Sequence, residues 1–203
     1  MLTIGVDPDL HDLAVAAWDE TGPRWAKVLT VPRKLKGPDA VLAMIREVQL
    51  KLMAVIGATR MDAYRYVVES QEFTHKHERP IDIVRLGHVA AAALMEGSRF
   101  TKYAAFPEPA QWKGSVAKHA MQARLYQDLG WGYEIHGDIK KHTAYAVPSS
   151  IRFPLEHMDR MAHFDGLLVQ QWKHVGDALL LAKWGFENWP KEAVQHAPFA
   201  CRG

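Results

Sequence analysis

The sequence predicts an α/β fold, a five-stranded mixed sheet of three antiparallel and then parallel strands with helices on its faces. Three observations carry this. Three short apolar stretches follow one another at the start of the chain, helix-period segments then alternate with β-branched ones, and two of the apolar stretches end on a carboxylate.

Residues 2–7, 12–18 and 24–31 are apolar or alternating, and the Pro8-Asp9 loop and the segment ETGP separate them as turns separate a meander. In GPDAVLAMIREVQLKLMAVIG, Val41, Ile45, Val48, Leu52 and Val55 recur at alternating spacings of four and three, with Asp39 near the start, which predicts an amphipathic helix. YRYVVES, 64–70, is β-branched and aromatic and predicts a fourth strand that ends on Glu69. The run from Pro80 to Met95 is helical in composition, and Ala90 to Ala93 would let it lie close to a sheet. RFTKYAAF, 99–106, predicts the fifth strand, and a helix over about 115–129 is ended by Gly130. Residues 130–155 show no clear period and are expected to be mobile or partner-dependent. One or two helices carrying Met158, Met161, Leu168, Trp172, Leu179 and Leu180 are expected over about 156–185, before an irregular tail at about 186–203.

The 203 residues suit a single domain, and a hydrophobic content of 48% is enough for a sizeable core. The formal net charge of +2 excludes a histone-like polyanion binder, so any nucleic-acid site must come from local clustering. Cys201 is the only cysteine, which excludes an internal disulfide and a cysteine-based zinc site. With no charged segment ahead of an apolar stretch at the start and no long apolar run, a cytoplasmic protein without membrane contact is expected.

In a mixed sheet of this order the first and fourth strands can be neighbours, which would bring Asp7 and Glu69 to one edge. Paired anions repel unless a cation lies between them, and hard oxygen ligands suit Mg²⁺ or Mn²⁺. A third contribution is expected from KHVGDALLLAKWG, where His174 and Asp177 are three apart and share a helix face. Asp165, in HFDGLL, is the rival to Asp177, since it too precedes an apolar pair. Each carboxylate taken alone also reads as a turn or cap residue.

IGVDPDLHDLAVAAWDETG, YVVESQEF and HVGDALLLA resemble, in order, the three acidic motifs of the RuvC-like Holliday junction resolvases of the ribonuclease H-like superfamily. LGHVAAAALM resembles the helix after the second motif, and PAQWKGSVAKHAMQARLYQDLG the lysine-bearing segment and the helix that follows it. The resemblance spans residues 2–185 and implies a ribonuclease H-like fold. It also implies that Asp7, Glu69 and Asp177 bind two divalent cations, that His174 occupies a position held by aspartate in many members and by histidine in some, and that Lys118 lies near the DNA backbone. Phe73 is the candidate to stack on junction bases, one position later than the resemblance would place it. Asp9 stands where the family commonly has glycine.

The activity so implied is hydrolysis of phosphodiester bonds in symmetry-related strands of a four-way DNA junction, leaving 5′-phosphate and 3′-hydroxyl ends. Two Mg²⁺ or Mn²⁺ ions would activate water and neutralise the leaving oxygen, with Asp7 between them. His174 is expected to be neutral near pH 7 and to ligate metal or orient the attacking water. Phosphate contacts are sought in Arg33, Lys34 and Lys36, in Lys76 and Arg79, in Lys113 and Lys118, and in Lys140 and Lys141. The near two-fold symmetry of a junction calls for a homodimer, with the apolar residues from Ile83 to Leu94 either as interface material or packed on the protein's own sheet. Three other readings stand beside this one. They are a ribonuclease H-like nuclease acting on other branched DNA or RNA-DNA hybrids, an actin-like domain holding Mg-nucleotide, and a DNA-binding module without catalysis. The second is disfavoured by the lack of a Gly-rich phosphate loop, so no nucleotide cofactor is expected.

Overall fold

The structure, a computed structural model, describes residues 1–57, 64–70, 80–98, 101 and 103–189. The chain begins with β1 (Leu2–Asp7), β2 (Asp12–Asp19) and β3 (Gly22–Thr30), followed by α1 (Pro38–Glu47), a π-turn at Val48–Leu52 and α2 (Met53–Gly57). Next come β4 (Tyr64–Val68), α3 (Pro80–Ser98), β5 (Ala104–Ala105), α4 (Pro109–Trp112) and α5 (Lys118–Asp128). The last part holds β6 (Gly132–His136), β7 (Tyr145–Ser150), 3₁₀ turns at Leu155–His163 and Val169–Gln171, and α6 (Trp172–Glu187).

The main sheet has the order β3-β2-β1-β4-β5, with β1 antiparallel to β2 and parallel to β4. This is the expected five-stranded mixed sheet. Its central strands are apolar on both faces because helices cover both. Leu13 and Val15 of β2 pack with α1 and α3, through Met44, Val48, Val89 and Ala93 among others. Ala14 and Ala16, the alternate residues, face α5 and α6.

Small residues on this second face control how near α6 comes. A β-carbon added at Gly5 of β1 would lie 2.2 Å from the Ala178 carbonyl oxygen and 2.5 Å from the Ala182 nitrogen, so the α6 backbone rests directly on the central strand. Trp131, Phe164 and Trp172 close the far end of this core, Phe164 stacking on Trp172 at 6.3 Å between ring centres.

Four expectations change. The first helix is continued by the π-turn, so its buried face runs through Val41, Met44, Val48, Leu52 and Ile56, with Ile45 and Val55 only half-buried beside it. The fifth strand is two residues long; Arg99, Phe100 and Lys102 of its expected range lie outside the described residues. Residues 130–155, in which the sequence shows no clear period, contain the antiparallel hairpin β6–β7 in the register Ile135 opposite Ala146. Pro148 fits there because β7 pairs with β6 alone, leaving its other edge free of ladder hydrogen bonds. Before Trp172 the last segment is 3₁₀ rather than α, interrupted at Gly166 with φ +78°, and it leaves Met158 and Leu168 exposed. Residues 190–203 of the expected tail lie outside the described residues, and among the described helices none is long and apolar enough to cross a membrane.

Candidate active site

The parallel register of β1 and β4 pairs Val6 with Val68, and the ladder continues one step further through a 3.1 Å hydrogen bond from the Glu69 N–H to the Val6 carbonyl. Asp7 and Glu69 therefore leave adjacent strands side by side. Both are buried, as are Asp177 and His174 on α6 above β1. The contact of α6 with Gly5 sets Asp177 over the ends of the two strands. Asp165 is exposed in the turn at Gly166 and is not part of this group.

Each carboxylate has a cationic or hydrogen-bonding partner. His174 Nδ1 is 2.7 Å from Asp7 Oδ2, and its Nε2 is 3.8 Å from Asp9 Oδ2. The short α4 begins with Pro109, is closed by a capping box between Glu108 and Gln111, and delivers Lys113 at its end; Lys113 Nζ donates to Glu69 Oε1 at 2.9 Å. Lys118, the first residue of α5, is ion-paired with Asp177 Oδ2. Gln122, one turn along α5, donates to Asp177 Oδ1 at 2.8 Å. Both lysines sought as phosphate contacts thus reach the carboxylates here.

The proton affinities follow from this crowding. Burial pushes Glu69 up, and the charge of Asp7 pushes it further against the pull of Lys113, to about 7. Burial also acts to raise Asp7, but the hydrogen bond and charge of His174, the charge of Lys118 and a hydrogen bond with Glu69 together hold it below the usual carboxylate range. For His174, burial acts downward, and Asp7 and Asp9 outweigh it and raise the imidazole above its ordinary value. The expectation of a neutral His174 near pH 7 took no account of these two carboxylates, which raise the proton affinity of the ring. Lys118, although buried, is held charged by Asp177, Asp7 and Glu69.

Three convergent carboxylates supply hard oxygen donors of the kind that Mg²⁺ and Mn²⁺ take, so the donor chemistry fits. In the present side-chain arrangement Lys113 and Lys118 supply positive charge and His174 a hydrogen bond, and among the described residues no three His, Cys, Asp or Glu side chains form a ready-made metal cage.

The remaining candidates divide. Arg33 is ion-paired with buried Asp12, while Lys34, Lys36, Lys140 and Lys141 are exposed. Phe73, Lys76 and Arg79 lie outside the described residues. Sequence reasoning missed Gln122, whose only signal was its place one helical turn after Lys118. It also took Asp9 as a turn residue alone. Asp9 Oδ1 does cap the turn, accepting from the N–H groups of His11 at 2.8 Å and Asp12 at 3.2 Å, but its other oxygen faces His174.

No protein-family model and no curated protein sequence matches the chain. Among solved structures, RuvC of Thermus thermophilus superposes over 90% of this chain and 91% of its own, with a TM-score of 0.51 and 17% identity. The same enzyme in complex with a Holliday junction substrate aligns over 90% of both chains with the same TM-score of 0.51 and 17% identity. At this identity the likeness concerns architecture: the chain has a RuvC-like fold of the ribonuclease H-like type.

Proposed function

We propose that the protein is a divalent-cation-dependent endonuclease that resolves four-way DNA junctions. The observation that carries the reading is the meeting of three buried carboxylates, Asp7, Glu69 and Asp177, from two adjacent strand ends and the helix packed over them. Such a concentration of negative charge is costly unless cations neutralise it.

Asp7, Glu69 and Asp177 would together hold two Mg²⁺ or Mn²⁺ ions. Bound there, the ions would supply an activated water and neutralise the leaving 3′-oxygen. The chain's own groups do the rest. Glu69 must be deprotonated to serve as a ligand. His174 is oriented by Asp7 through Nδ1, which directs Nε2 toward Asp9. Lys113 and Lys118, released from Glu69 and Asp177, become available to the phosphate under attack.

DNA affinity should be dominated by phosphate contacts and fall steeply with salt, with Lys34, Lys36, Lys140 and Lys141 as exposed candidates. We also infer a homodimer. Of the two roles open to α3, Ile83, Val89, Ala90 and Ala93 take the second, being buried in the protein's own core. The outer side of α3 instead presents Ile81, Val84, His88, Ala91 and Met95 at alternating spacings of three and four, with Ile81 55% and Met95 67% exposed. A stripe of that period suits a matching helix of a second copy.

The test incubates wild type and Asp7→Asn with a four-way junction, a linear duplex and an RNA-DNA hybrid in Mg²⁺. Wild type should nick the junction in symmetry-related strands, leaving 5′-phosphate ends. The variant should bind the junction equally and cut it at least about 10³-fold more slowly. Equal cutting by both proteins, or preferred cutting of the linear duplex or hybrid, would overturn the reading.

A further inference from the structure

The amide of Gln122 is fully buried where α5, α6 and the hairpin meet, and all its hydrogen-bonding capacity toward the protein is directional. Its Oε1 accepts from the Ala146 N–H of β7 at 2.9 Å. Its Nε2 donates to the Lys173 carbonyl at 3.1 Å and to Asp177 Oδ1 at 2.8 Å. The orientation is therefore determined. A flipped amide would set its NH₂ against the Ala146 N–H and its oxygen against two acceptors. Space for it is left by Gly176, where an added β-carbon would lie 2.7 Å from Nε2 and 2.8 Å from Cδ.

The two oxygens of Asp177 are consequently held in different ways. Oδ1 is tethered to an amide locked by two backbone groups. Oδ2 is paired with Lys118, a flexible ammonium that a cation can displace. We propose that Gln122 is a positioning residue that pins Asp177 from behind, so that this carboxylate offers Oδ2 alone to a divalent cation. The proposal rests on the nuclease reading for the use made of Asp177, and it adds a part for the hairpin. By fixing Oε1, Ala146 makes the β6–β7 unit a support of the candidate active site.

Two variants test it. Gln122→Glu keeps the acceptor for Ala146 and turns the donor facing Asp177 into a second oxygen, while Gln122→Met keeps bulk without hydrogen bonds. Mn²⁺ binding to the DNA-free protein is measured by calorimetry, junction cleavage by kcat and KM, and folding by thermal melts. Loss of an outer-shell partner typically costs about 10–100-fold in metal affinity or activity. That loss is expected in Mn²⁺ affinity and kcat for both variants, with KM for the junction unchanged. Values within about threefold of wild type for both, or no Mn²⁺ binding by wild type, would overturn the proposal. If neither variant folds, the side-chain amide resonances of Gln122 in the wild type decide. They should exchange slowly and move on addition of Mg²⁺, and solvent-rate exchange with no shift would overturn the proposal. Should the wild type bind Mn²⁺ but cut no branched DNA, the nuclease reading fails while these binding and resonance measurements still judge Gln122.

Discussion

His174 and Asp7 face each other across the boundary between α6 and the central strand, Nδ1 to Oδ2 at 2.7 Å. With Asp9 beyond Nε2, the ring is bracketed by carboxylates, which raises its proton affinity despite burial, while Asp7 is lowered. A raised His contributes stability that is fully present below its unfolded value of about 6.5 and is lost as pH rises through the folded value. A lowered Asp contributes above its unfolded value, about 3.9, and loses that contribution as pH falls through the folded one. The cation-free protein should therefore owe this pair its largest stabilisation at mildly acid pH. An NMR titration of His174 should show a midpoint above the ordinary one. Asp7→Asn should lower that midpoint, and a midpoint unchanged by the substitution would remove Asp7 as the cause.

Glu69 titrates at about 7 because burial and Asp7 disfavour its charge. Its unfolded counterpart ionises at about 4.3, so the fold is destabilised progressively between there and about 7 and carries the full penalty above. At about 1.4 kcal/mol per pH unit, that penalty is on the order of 4 kcal/mol. Glu69→Gln, which keeps an acceptor for Lys113, should stabilise the cation-free protein by a few kcal/mol at pH 8 and leave it nearly unchanged at pH 4, read by urea melts. The same variant should abolish cleavage. In wild type the cleavage rate should rise with pH through an inflection near 7, moving lower as Mg²⁺ is raised, because cation binding requires the deprotonated carboxylate.

Asp177 is buried against Lys118 and Gln122, whereas Asp165 is exposed in the turn that precedes α6. Asp177→Asn should reduce cleavage by at least about 10³-fold, and Asp165→Asn should leave it within about twofold and the melting temperature unchanged. Steady-state cleavage of a junction by the two variants, side by side, decides the assignment. A dead Asp165→Asn beside an active Asp177→Asn would move the third ligand off α6.

How much of the fold and the site is legible in the sequence depends on whether a residue's partner announces itself locally. β1, β2 and β4 are buried by helices on both sides, so their apolar runs are continuous, and the carboxylates that end β1 and β4 stand out against them. The hairpin is illegible for the converse reason. GYEIH and YAVPSS are short, half exposed and interrupted by Pro148, and they are held through Ala146 and Val147 against α5 and α6, contacts with no local period. Gln122 is hidden in the same way, since a glutamine on a helix does not disclose an aspartate 55 residues later. The raised proton affinity of His174 escapes a reading by motif because it depends on two loop and strand carboxylates that meet the ring only in the fold.

Gly5 provides a test of the packing that assembles the site. Because its missing side chain lets the backbone of α6 lie on β1, Gly5→Ala would put a β-carbon 2.2 Å from the Ala178 oxygen and force the helix outward. Overpacking of this kind costs about 1–3 kcal/mol or more, a fall of roughly 3–10 °C in melting temperature for a chain of this size. Asp177 travels with the helix and Asp7 stays with the strand, so cleavage and Mg²⁺-dependent stabilisation should fall together, by tenfold or more. Gly87, inside α3 with open space around its α-carbon, is the contrast, and Gly87→Ala should stabilise by about 0.5–1 kcal/mol without loss of cleavage. Melts with and without Mg²⁺ check both variants, and a Gly5→Ala protein that melts lower yet gains wild-type stability from Mg²⁺ would show that the site does not depend on this contact.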